Sequence, residues 1–477
     1  MAAATGQLGV LDLSFRTALQ RLDAAGRLLK VRSPVDPHLE IAGLAMQRDG
    51  DVAFLFERVK GHTMPVATSF AASPANVTTL FGCDVAGVRA AMERAISAPL
   101  PWETVSSGPA QEVVRLGADI DLGAQLPILT HTARDGGPYI TAGCVIARDP
   151  DSGVHNASFH RLQLRGPNVL ALKLDHGRHL RTMWEKAAAR SEPLPIAIVI
   201  GGDWALTYAA CSLGAMLPYD RDELEAASGL RGAPLALLPC RTVDLAVPHD
   251  SEIVIEGLLH TERFVDDEGP FIEVFGQYSE VGRCPLVEVT ALTHRRDAIY
   301  YDVLGCEGVT LRKYILEAGI LRELRQAVPI VRDVEMTRGG MYRFHLVIAV
   351  HKNSPLDEGL QRQAIFAAFA ALKDLDLVIV VDDDIDIHNP TDVEYALAMR
   401  MEASKDLILM PGARCHEYVL VSDNGRRTKV GIDATVPFER HHEFLRASYA
   451  QVRLEDYDTT LAPGWSRPET PAPAGRE

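Results

Sequence analysis

The chain of 477 residues is long enough for two or three domains, and its 47% apolar and 23% charged residues are typical of a globular enzyme. Its net charge of −16, with no run of lysine and arginine, argues against nucleic-acid binding, because neutralising phosphates requires basic clusters. The 7 cysteines lack a C-x-x-C spacing, the N-terminus lacks signal-peptide features, and no apolar run is long enough for a membrane helix. These features predict a cytoplasmic protein that does not span a membrane.

The first hundred residues predict a small α/β region that ends near Pro101. Ser14 is placed to cap a helix over residues 14–25, and Gly26 is placed to end it. Two short apolar runs and a second helical pattern follow, at Val52–Phe56, Met64–Ala67 and Val85–Ile96.

From about residue 105 to 300 the pattern favours short strands and turns. The strand-like runs Tyr139–Arg148 and Val154–Leu164 are separated by Asp149–Gly153, which has the composition of a hairpin turn. Further candidate strands are Ile196–Ile200, Glu252–Leu258 and Leu286–Leu292. Many short strands with glycine and proline between them predict a barrel.

After about residue 300 helices and strands alternate, which predicts an α/β layer with parallel strands. The predicted helices are Leu311–Gln326, Leu360–Leu372 and Thr391–Met401. The predicted strands are Val331–Met336, Phe344–Val350, Leu377–Val381 and Leu407–Met410. The proline-rich residues 462–477 predict a mobile tail.

The clearest chemical feature is a pair of carboxylates, Glu268 and Glu273, on either side of a Gly269-Pro270 turn. Glycine frees the backbone and proline fixes it, so the turn holds the two acids in a rigid corner. Two acids in one site can be shifted to different pKa values, which leaves one ionised and one able to donate a proton.

A second feature is a set of polar residues in three separate segments: Val154–Arg161, Leu174–His179 and Asp222–Glu225. Together they offer an amide oxygen, an imidazole and a carboxylate, a donor set that suits Mn²⁺ or Mg²⁺. A straight strand would put Asn156 and Arg161 on opposite faces, so a bend is expected between them.

Seven segments, in this order, resemble the motifs of the UbiD family of prenylated-flavin-dependent decarboxylases. They are Asn156–Arg161, Gly177–Trp184, Glu223–Pro234, Glu252–Gly257, Glu268–Glu273, Val380–Asp386 and Lys429–Thr435. The resemblance implies an α/β (α+β) fold with an N-terminal α/β portion, a split β-barrel that binds the flavin, a linker helix, a C-terminal α/β oligomerisation domain and a flexible tail. The implied boundaries are residues 1–104, 105–305, 306–328, 329–461 and 462–477.

The resemblance also implies the site. Asn156, His179 and Glu223 would hold Mn²⁺ against the flavin phosphate, with K⁺ nearby, although His176 and Glu225 are alternative ligands. The implied cofactor contacts are Asn156, Ser158, Phe159, His160, Arg161, Arg178, His179 and Lys429, the last reaching the phosphate. The implied catalytic residues are Arg161, which orients the substrate carboxylate, Glu268, which pairs with it, and Glu273, which donates the proton. Further pocket residues are expected within Asp302–Arg312 and Met336–Tyr342.

The implied function is non-oxidative, reversible decarboxylation of an aromatic, heteroaromatic or α,β-unsaturated acid through a covalent adduct with prenylated FMN. A flavin prenyltransferase would supply the cofactor, and a homodimer or larger homo-oligomer is expected. The alternatives are a family member that holds flavin without turnover and a plain FMN oxidoreductase.

Overall fold

The computed structural model describes residues 9–458 except 214–215, 417–418, 448–449, 451 and 454–455. The predicted tail at 462–477 lies outside the described residues. The N-terminal elements are α1 (Phe15–Ala24), β1 (Leu28–Val31), α2 (Glu40–Met46), β2 (Ala53–Phe56), β3 (Val66–Thr68), α3 (Pro74–Phe81) and α4 (Val85–Ser97).

The middle of the chain is rich in strands, as predicted. Its elements are β4 (Glu103–Thr104), β5 (Val113–Leu116), α5 (Leu122–Gln125), β6 (Tyr139–Ile140), β7 (Cys144–Arg148), β8 (His155–Phe159), β9 (Leu162–Gly166), β10 (Val169–Leu172), α6 (His179–Ala189), β11 (Leu194–Ile200), α7 (Trp204–Ala209), α8 (Glu223–Arg231), β12 (Ala236–Pro239), β13 (Ala246–Pro248), β14 (Ile253–Glu268), β15 (Gly282–His294) and β16 (Tyr300–Asp302).

Helices and strands alternate in the remainder. Its elements are α9 (Glu307–Ala327), β17 (Val331–Met336), β18 (His345–Val350), α10 (Leu360–Ala371), β19 (Leu377–Asp382), α11 (Pro390–Arg400), α12 (Ala403–Asp406), β20 (Leu407–Arg414) and β21 (Arg426–Ala434). The described residues up to Thr435 form one compact unit. A second unit begins at Val436 and contains the short 3₁₀ helix Phe438–Phe444.

The N-terminal region confirms its predicted helices. The side chain of Ser14 accepts a hydrogen bond from the amide of Thr17 and caps α1. Beside these helices lies a four-stranded sheet in the order β1-β2-β3-β16. Its last strand, β16, pairs in parallel with β3, so the chain returns to the N-terminal sheet just before α9 begins.

The central sheet has nine strands, and its main path runs in the order β6-β9-β10-β15-β14-β11-β7-β8. The predicted hairpin is confirmed, because β7 and β8 pair antiparallel on either side of residues 149–153. Within the described chain the two ends of this path, β6 and β8, do not pair, so hydrogen bonding does not close the sheet into a full barrel. The expected α/β fold is confirmed, with an open central sheet.

The predicted bend between Asn156 and Arg161 is a break between two strands. Strand β8 ends at Phe159 and β9 begins at Leu162, so His160 and Arg161 belong to neither strand. The side chain of Arg161 therefore does not have to follow the alternation of side chains between the two faces of β8.

The C-terminal sheet has the order β17-β18-β19-β21-β20. Its three central strands are parallel, as predicted, and its two edge strands run antiparallel to their neighbours.

Helix α9 packs against two hydrophobic cores. Leu311, Tyr314 and Ile315 belong to the core shared by the N-terminal and central regions. Leu316 and Ile320 belong to the core beneath the C-terminal sheet. The helix therefore joins the two halves of the molecule by packing as well as by sequence.

Candidate active site

A cavity of about 590 Å³ opens between the central sheet, the segment after β14 and the first turns of α9. This volume is within the range of small-molecule binding sites. Its wall includes most of the residues predicted for the site: Asn156, Ser158, Phe159, His160, Arg161, Arg178, His179, Glu223 and Glu273.

Arg161 lies between two carboxylates. Its Nε and Nη2 donate to Glu268 at 2.9 and 2.8 Å, and its Nη1 donates to Glu273. The guanidinium also lies 5.3 Å from the ring centroid of Phe271, which supports it from one side. Burial alone would lower the pKa of Arg161, but the bonds and charges of the two glutamates outweigh it and raise that pKa. Arg161 is therefore a permanent cation held in a fixed plane.

The two glutamates lie in different surroundings. The side chain of Glu268 is 0% exposed and that of Glu273 is 16% exposed. Burial raises the pKa of Glu273, and the nearby charge of Arg161 opposes this only in part. A carboxyl group with a raised pKa, placed on a cavity wall, is suited to carry a proton.

The backbone explains how the two acids come together. Strand β14 ends at Glu268, and Gly269 then adopts a φ of +100°, which favours glycine. Gly136 packs directly against this turn, and its amide donates to the carbonyl of Pro270 at 2.8 Å. The turn is thus held from outside by a neighbouring loop.

A second cluster joins Asn156, His179 and Glu223. His179 is the first residue of α6 and Glu223 is the first residue of α8, while Asn156 lies on β8. Asn156 Nδ2 donates to Glu223 Oε1 at 2.9 Å, and His179 Nδ1 lies 3.5 Å from the same oxygen. Three segments far apart in sequence therefore meet at one carboxylate.

Glu223 has the features expected of a metal ligand. Its Oε2 is buried and has no hydrogen-bond partner among the described residues. Burial raises its pKa, opposed by His179 and Asn156. Among the described residues no three or more His, Cys, Asp or Glu side chains are arranged so that they could hold a metal ion. The present cluster has two such side chains, and its third member is an amide. An amide oxygen, an imidazole nitrogen and a carboxylate fit a divalent cation such as Mn²⁺.

The two alternative ligands lie outside the cavity wall. His176 is exposed, and Glu225 is half-buried and lines a separate pocket. The geometry therefore favours His179 and Glu223.

The other predicted cofactor contacts are four residues that line the cavity and Lys429, which does not. Ser158 Oγ lies 3.0 Å from both Asn156 Oδ1 and His160 Nε2, and burial lowers the pKa of His160. Ser158, Phe159, His160 and Arg178 all line the cavity.

Lys429 does not lie where the family resemblance implied, at the flavin phosphate. It is buried on β21 and does not line the cavity, since its Nζ donates to the carbonyl oxygens of Lys373 and Leu375 at 2.7 and 2.6 Å. Those two bonds direct the ammonium toward the loop between α10 and β19 and not toward the cavity.

The structure adds cavity residues that the sequence did not identify individually. His131 Nε2 lies 2.9 Å from Asp302 Oδ2, and Thr141 donates to the other oxygen of Asp302 at 2.8 Å. Lys173 and Asp175 also line the cavity. No spacing in the sequence distinguishes these residues from ordinary loop residues. Of the two predicted pocket segments, 303–306, Val309 and Arg312 line the wall from the first, and Met341 from the second.

Within the described part of the chain, no helix has the length and apolar character needed to cross a membrane.

Three family models match consecutive parts of the chain. They describe the N-terminal, Rift-related and C-terminal domains of 3-octaprenyl-4-hydroxybenzoate carboxy-lyase, at residues 19–95, 103–307 and 309–434. All three belong to the UbiD family of models.

The chain is also similar to named decarboxylases. It is 36% identical to the anhydromevalonate phosphate decarboxylase of Methanothermobacter thermautotrophicus, over 90% of this chain and 99% of that protein. It is 32% identical to the gallate decarboxylase of Lactiplantibacillus plantarum, over 88% of this chain and 93% of that protein.

Among solved structures, the chain resembles the UbiD-class enzyme HmfF from Pelotomaculum thermopropionicum. The complex of HmfF with FMN has a TM-score of 0.88 and 40% identity, covering 93% of this chain and 99% of that one. An evolved dimeric form with prenylated FMN has a TM-score of 0.84 and 39% identity, covering 93% and 100%.

Proposed function

This chain belongs to the UbiD family, and we propose that it is a prenylated-FMN-dependent carboxy-lyase acting on an aromatic, heteroaromatic or α,β-unsaturated carboxylic acid. One observation carries the proposal: Arg161 is held by Glu268 and faces Glu273, whose pKa is raised, on the wall of a cavity that also contains a candidate metal cluster. That arrangement supports binding a carboxylate at one point and supplying a proton beside it.

The chemical difficulty of the reaction is the electron pair that CO₂ leaves behind on carbon. Bound prenylated FMN supplies an electron sink for that pair. The side chains then have the simpler tasks of orientation, proton supply and exclusion of water.

Arg161 orients the substrate carboxylate through the remaining N–H groups of Nη1 and Nη2, which are not used by Glu268 and Glu273. Glu268 keeps the guanidinium in position, because it is fully buried and uses both oxygens on it. Glu273 gives its proton to the carbon atom that has lost CO₂, and in the reverse direction it removes that proton. Phe271 lies beside Arg161 and gives this end of the cavity an apolar wall. The lower local dielectric strengthens the interactions of Arg161 and Glu273 with the substrate.

The cluster of Asn156, His179 and Glu223 would hold Mn²⁺ at the flavin phosphate. The first residues of α6 and α8 belong to this cluster, and helix N-termini favour a phosphate through their free amides and dipoles. A K⁺ near the same phosphate remains a prediction from the family resemblance. Retention of flavin after dialysis with and without potassium tests it.

The binding partners follow from this chemistry. A flavin prenyltransferase must supply the cofactor, and we expect a homodimer or a larger homo-oligomer. The edge strand β20 exposes Leu409 and Met410, which supports an interface on the C-terminal sheet. Light scattering of the purified protein measures the assembly.

The first test is mass spectrometry of the flavin extracted after co-production with a flavin prenyltransferase, in the presence of Mn²⁺ and K⁺. We expect the mass of prenylated FMN, followed by CO₂ release in a screen of carboxylic acids. Ordinary FMN with oxidation of a nicotinamide cofactor would favour a plain FMN oxidoreductase. Prenylated FMN without CO₂ release from any acid would favour a family member that has lost turnover.

A further inference from the structure

Three polar side chains lie in a row beside the candidate metal cluster. Asn156 and Ser158 are two residues apart on β8, and His160 follows two residues later, in the break before β9. Because side chains alternate between the two faces of a strand, this spacing brings all three to the cavity wall. Ser158 Oγ lies 3.0 Å from Asn156 Oδ1 and 3.0 Å from His160 Nε2. The hydroxyl of Ser158 therefore connects a candidate metal ligand to a buried imidazole.

The imidazole of His160 has a fixed tautomer. Its Nδ1 lies 2.9 Å from the carbonyl oxygen of Lys173, and a carbonyl oxygen only accepts, so Nδ1 carries a hydrogen and donates it. Burial lowers the pKa of His160, opposed in part by this bond, so the ring is neutral at neutral pH. The other nitrogen, Nε2, is then an acceptor, and the hydroxyl of Ser158 is the donor beside it.

Ser158 cannot satisfy both of its neighbours. A hydroxyl donates one hydrogen bond, whereas Asn156 Oδ1 and His160 Nε2 are both acceptors. Both residues are buried, and a buried acceptor without a donor costs free energy. The amide of Asn156 nevertheless has this orientation because its Nδ2 donates to Glu223 Oε1 at 2.9 Å.

A half turn of the Asn156 amide would satisfy the whole row. The amide has nearly the same shape in both orientations, so the turn requires no movement of the backbone. Nδ2 would then donate to Ser158 Oγ, and the hydroxyl would be free to donate to His160 Nε2. The same turn places Oδ1 against the carboxylate of Glu223. Two acceptors without a hydrogen between them repel each other, and a cation between them removes that repulsion.

Glu223 and the Ser158–His160 pair therefore favour opposite orientations of one amide, and a cation decides between them. We propose that Ser158 and His160 are positioning residues for the metal site: when a divalent cation binds, the Asn156 amide turns, and these two residues hold its oxygen toward the cation. In this role neither residue touches the cation itself. The inference rests on the metal cluster of the proposed function and gives the two residues a task beyond contact with the flavin.

The experiment measures metal affinity and not catalysis. Full-length protein stripped of metal is titrated with Mn²⁺ in the presence of FMN, and free Mn²⁺ is measured from its EPR signal. FMN affinity without metal is measured separately from flavin fluorescence. The variants are Ser158→Ala, Ser158→Thr, His160→Phe, His160→Gln and the double variant Ser158→Ala/His160→Phe. The matched control is Thr141→Val, because Thr141 also has its hydroxyl on the cavity wall but bonds Asp302 and the amide of Val303.

Ser158→Ala should weaken Mn²⁺ binding by about tenfold or more, the usual effect of removing a hydrogen-bond partner of a metal ligand. His160→Phe should weaken it by a smaller factor, because the hydroxyl is then free to donate to Asn156 Oδ1 and favour the metal-free orientation. The double variant should bind Mn²⁺ no more weakly than Ser158→Ala, since His160 acts only through that hydroxyl.

The conservative variants should keep the affinity. Ser158→Thr retains the hydroxyl, and His160→Gln retains an acceptor oxygen for it, so both should bind Mn²⁺ more tightly than Ser158→Ala and His160→Phe respectively. Thr141→Val should bind Mn²⁺ like the unmodified protein. FMN affinity without metal should be the same in all variants.

Four results overturn the inference: unchanged Mn²⁺ affinity in Ser158→Ala, additive losses in the double variant, equal loss of FMN binding with and without Mn²⁺, or no Mn²⁺ binding by the unmodified protein. Equal loss of FMN binding would identify Ser158 and His160 as direct flavin contacts only. The proposed function fails separately if protein that binds Mn²⁺ releases CO₂ from no acid. In that case the expected order of Mn²⁺ affinities still supports the inference.

Discussion

The guanidinium of Arg161 uses two of its nitrogens on the two carboxylate oxygens of Glu268, at 2.9 and 2.8 Å. Because Glu268 is fully buried and both of its oxygens accept from the guanidinium, this pairing fixes the plane of the guanidinium. The third nitrogen, Nη1, then faces Glu273. One arginine therefore separates two nearby acids into a structural partner and a group on the cavity wall.

Glu273→Gln should lower kcat for CO₂ release by about 10²- to 10⁴-fold, the usual contribution of a general acid. The amide keeps the size of the side chain but has no proton to give at neutral pH. Flavin content, measured by absorbance after extraction, should not change, since Glu273 is outside the Asn156–His179–Glu223 cluster. Glu280→Gln, at an exposed position beyond the same turn, is the control. Full activity in Glu273→Gln would identify a different acid.

The pH dependence of kcat/KM should reflect the ionisation of Glu273. Burial raises the pKa of this carboxyl, so its protonated form persists to higher pH than in a free glutamic acid. Decarboxylation needs that form, and the rate should therefore fall as pH rises through the raised pKa. The profile of kcat/KM measures this limb, and the residual activity of Glu273→Gln should lack it. A descending limb unchanged in the variant would assign it to another group.

His179→Ala and Glu223→Ala should each reduce bound manganese and, with it, bound flavin. Loss of either group breaks the cluster around the Glu223 carboxylate, and we expect metal affinity to fall by about tenfold or more. Elemental analysis and flavin extraction measure the two losses.

The neighbouring variants His176→Ala and Glu225→Ala are matched controls, because both residues lie outside the cavity wall. If His176→Ala loses metal while His179→Ala retains it, the histidine ligand is His176. The same comparison of Glu225→Ala with Glu223→Ala decides the carboxylate ligand.

Gly136→Ala should impair catalysis without touching a catalytic side chain. A Cβ at this position would overlap the carbonyl oxygen of Gly269 and lie 2.8 Å from its carbonyl carbon. Because that contact is backbone, the turn between Glu268 and Glu273 has to move. We expect a loss of about 10²-fold in kcat, as for other small displacements of catalytic groups, and about 1–3 kcal/mol of stability.

Gly339→Ala is the control for this change, since nothing lies within 4 Å of its added Cβ. Thermal unfolding and kcat are measured for both variants. An unchanged kcat in Gly136→Ala would mean that the position of the turn does not set the rate.

The sequence predicted α1, α4, the β7–β8 hairpin, the alternating elements after residue 300 and the carboxylate turn, because these depend on local periodicity and on glycine and proline. It did not predict short elements such as α2, α3 and β12. The helix predicted from Leu311 in fact begins at Glu307, since a buried carboxylate and distant amides fix its start. Such anchoring by residues far along the chain leaves no local pattern.

The convergence of Asn156, His179 and Glu223 was predicted from family resemblance and not from spacing. It depends on two helices beginning beside the same strand, which only the folded chain determines. Lys429 is the opposite case, because its sequence motif matches the family but its side chain does not line the cavity. A motif matched by sequence carries a side chain whose hydrogen bonds are made to the carbonyls of Lys373 and Leu375 in the C-terminal region.

The cavity wall is drawn from two kinds of segment, and this has a consequence for substitutions in it. Asn156, His179, Glu223 and Arg161 come from the central sheet, the loop between β8 and β9 and the helices beside them, while Val309 and Arg312 line the cavity from α9. A substitution at either of these two positions would alter the cavity wall without replacing a residue of the Asn156–His179–Glu223 cluster. The shape of the cavity beside α9 can therefore be changed by substitution independently of the Asn156–His179–Glu223 cluster.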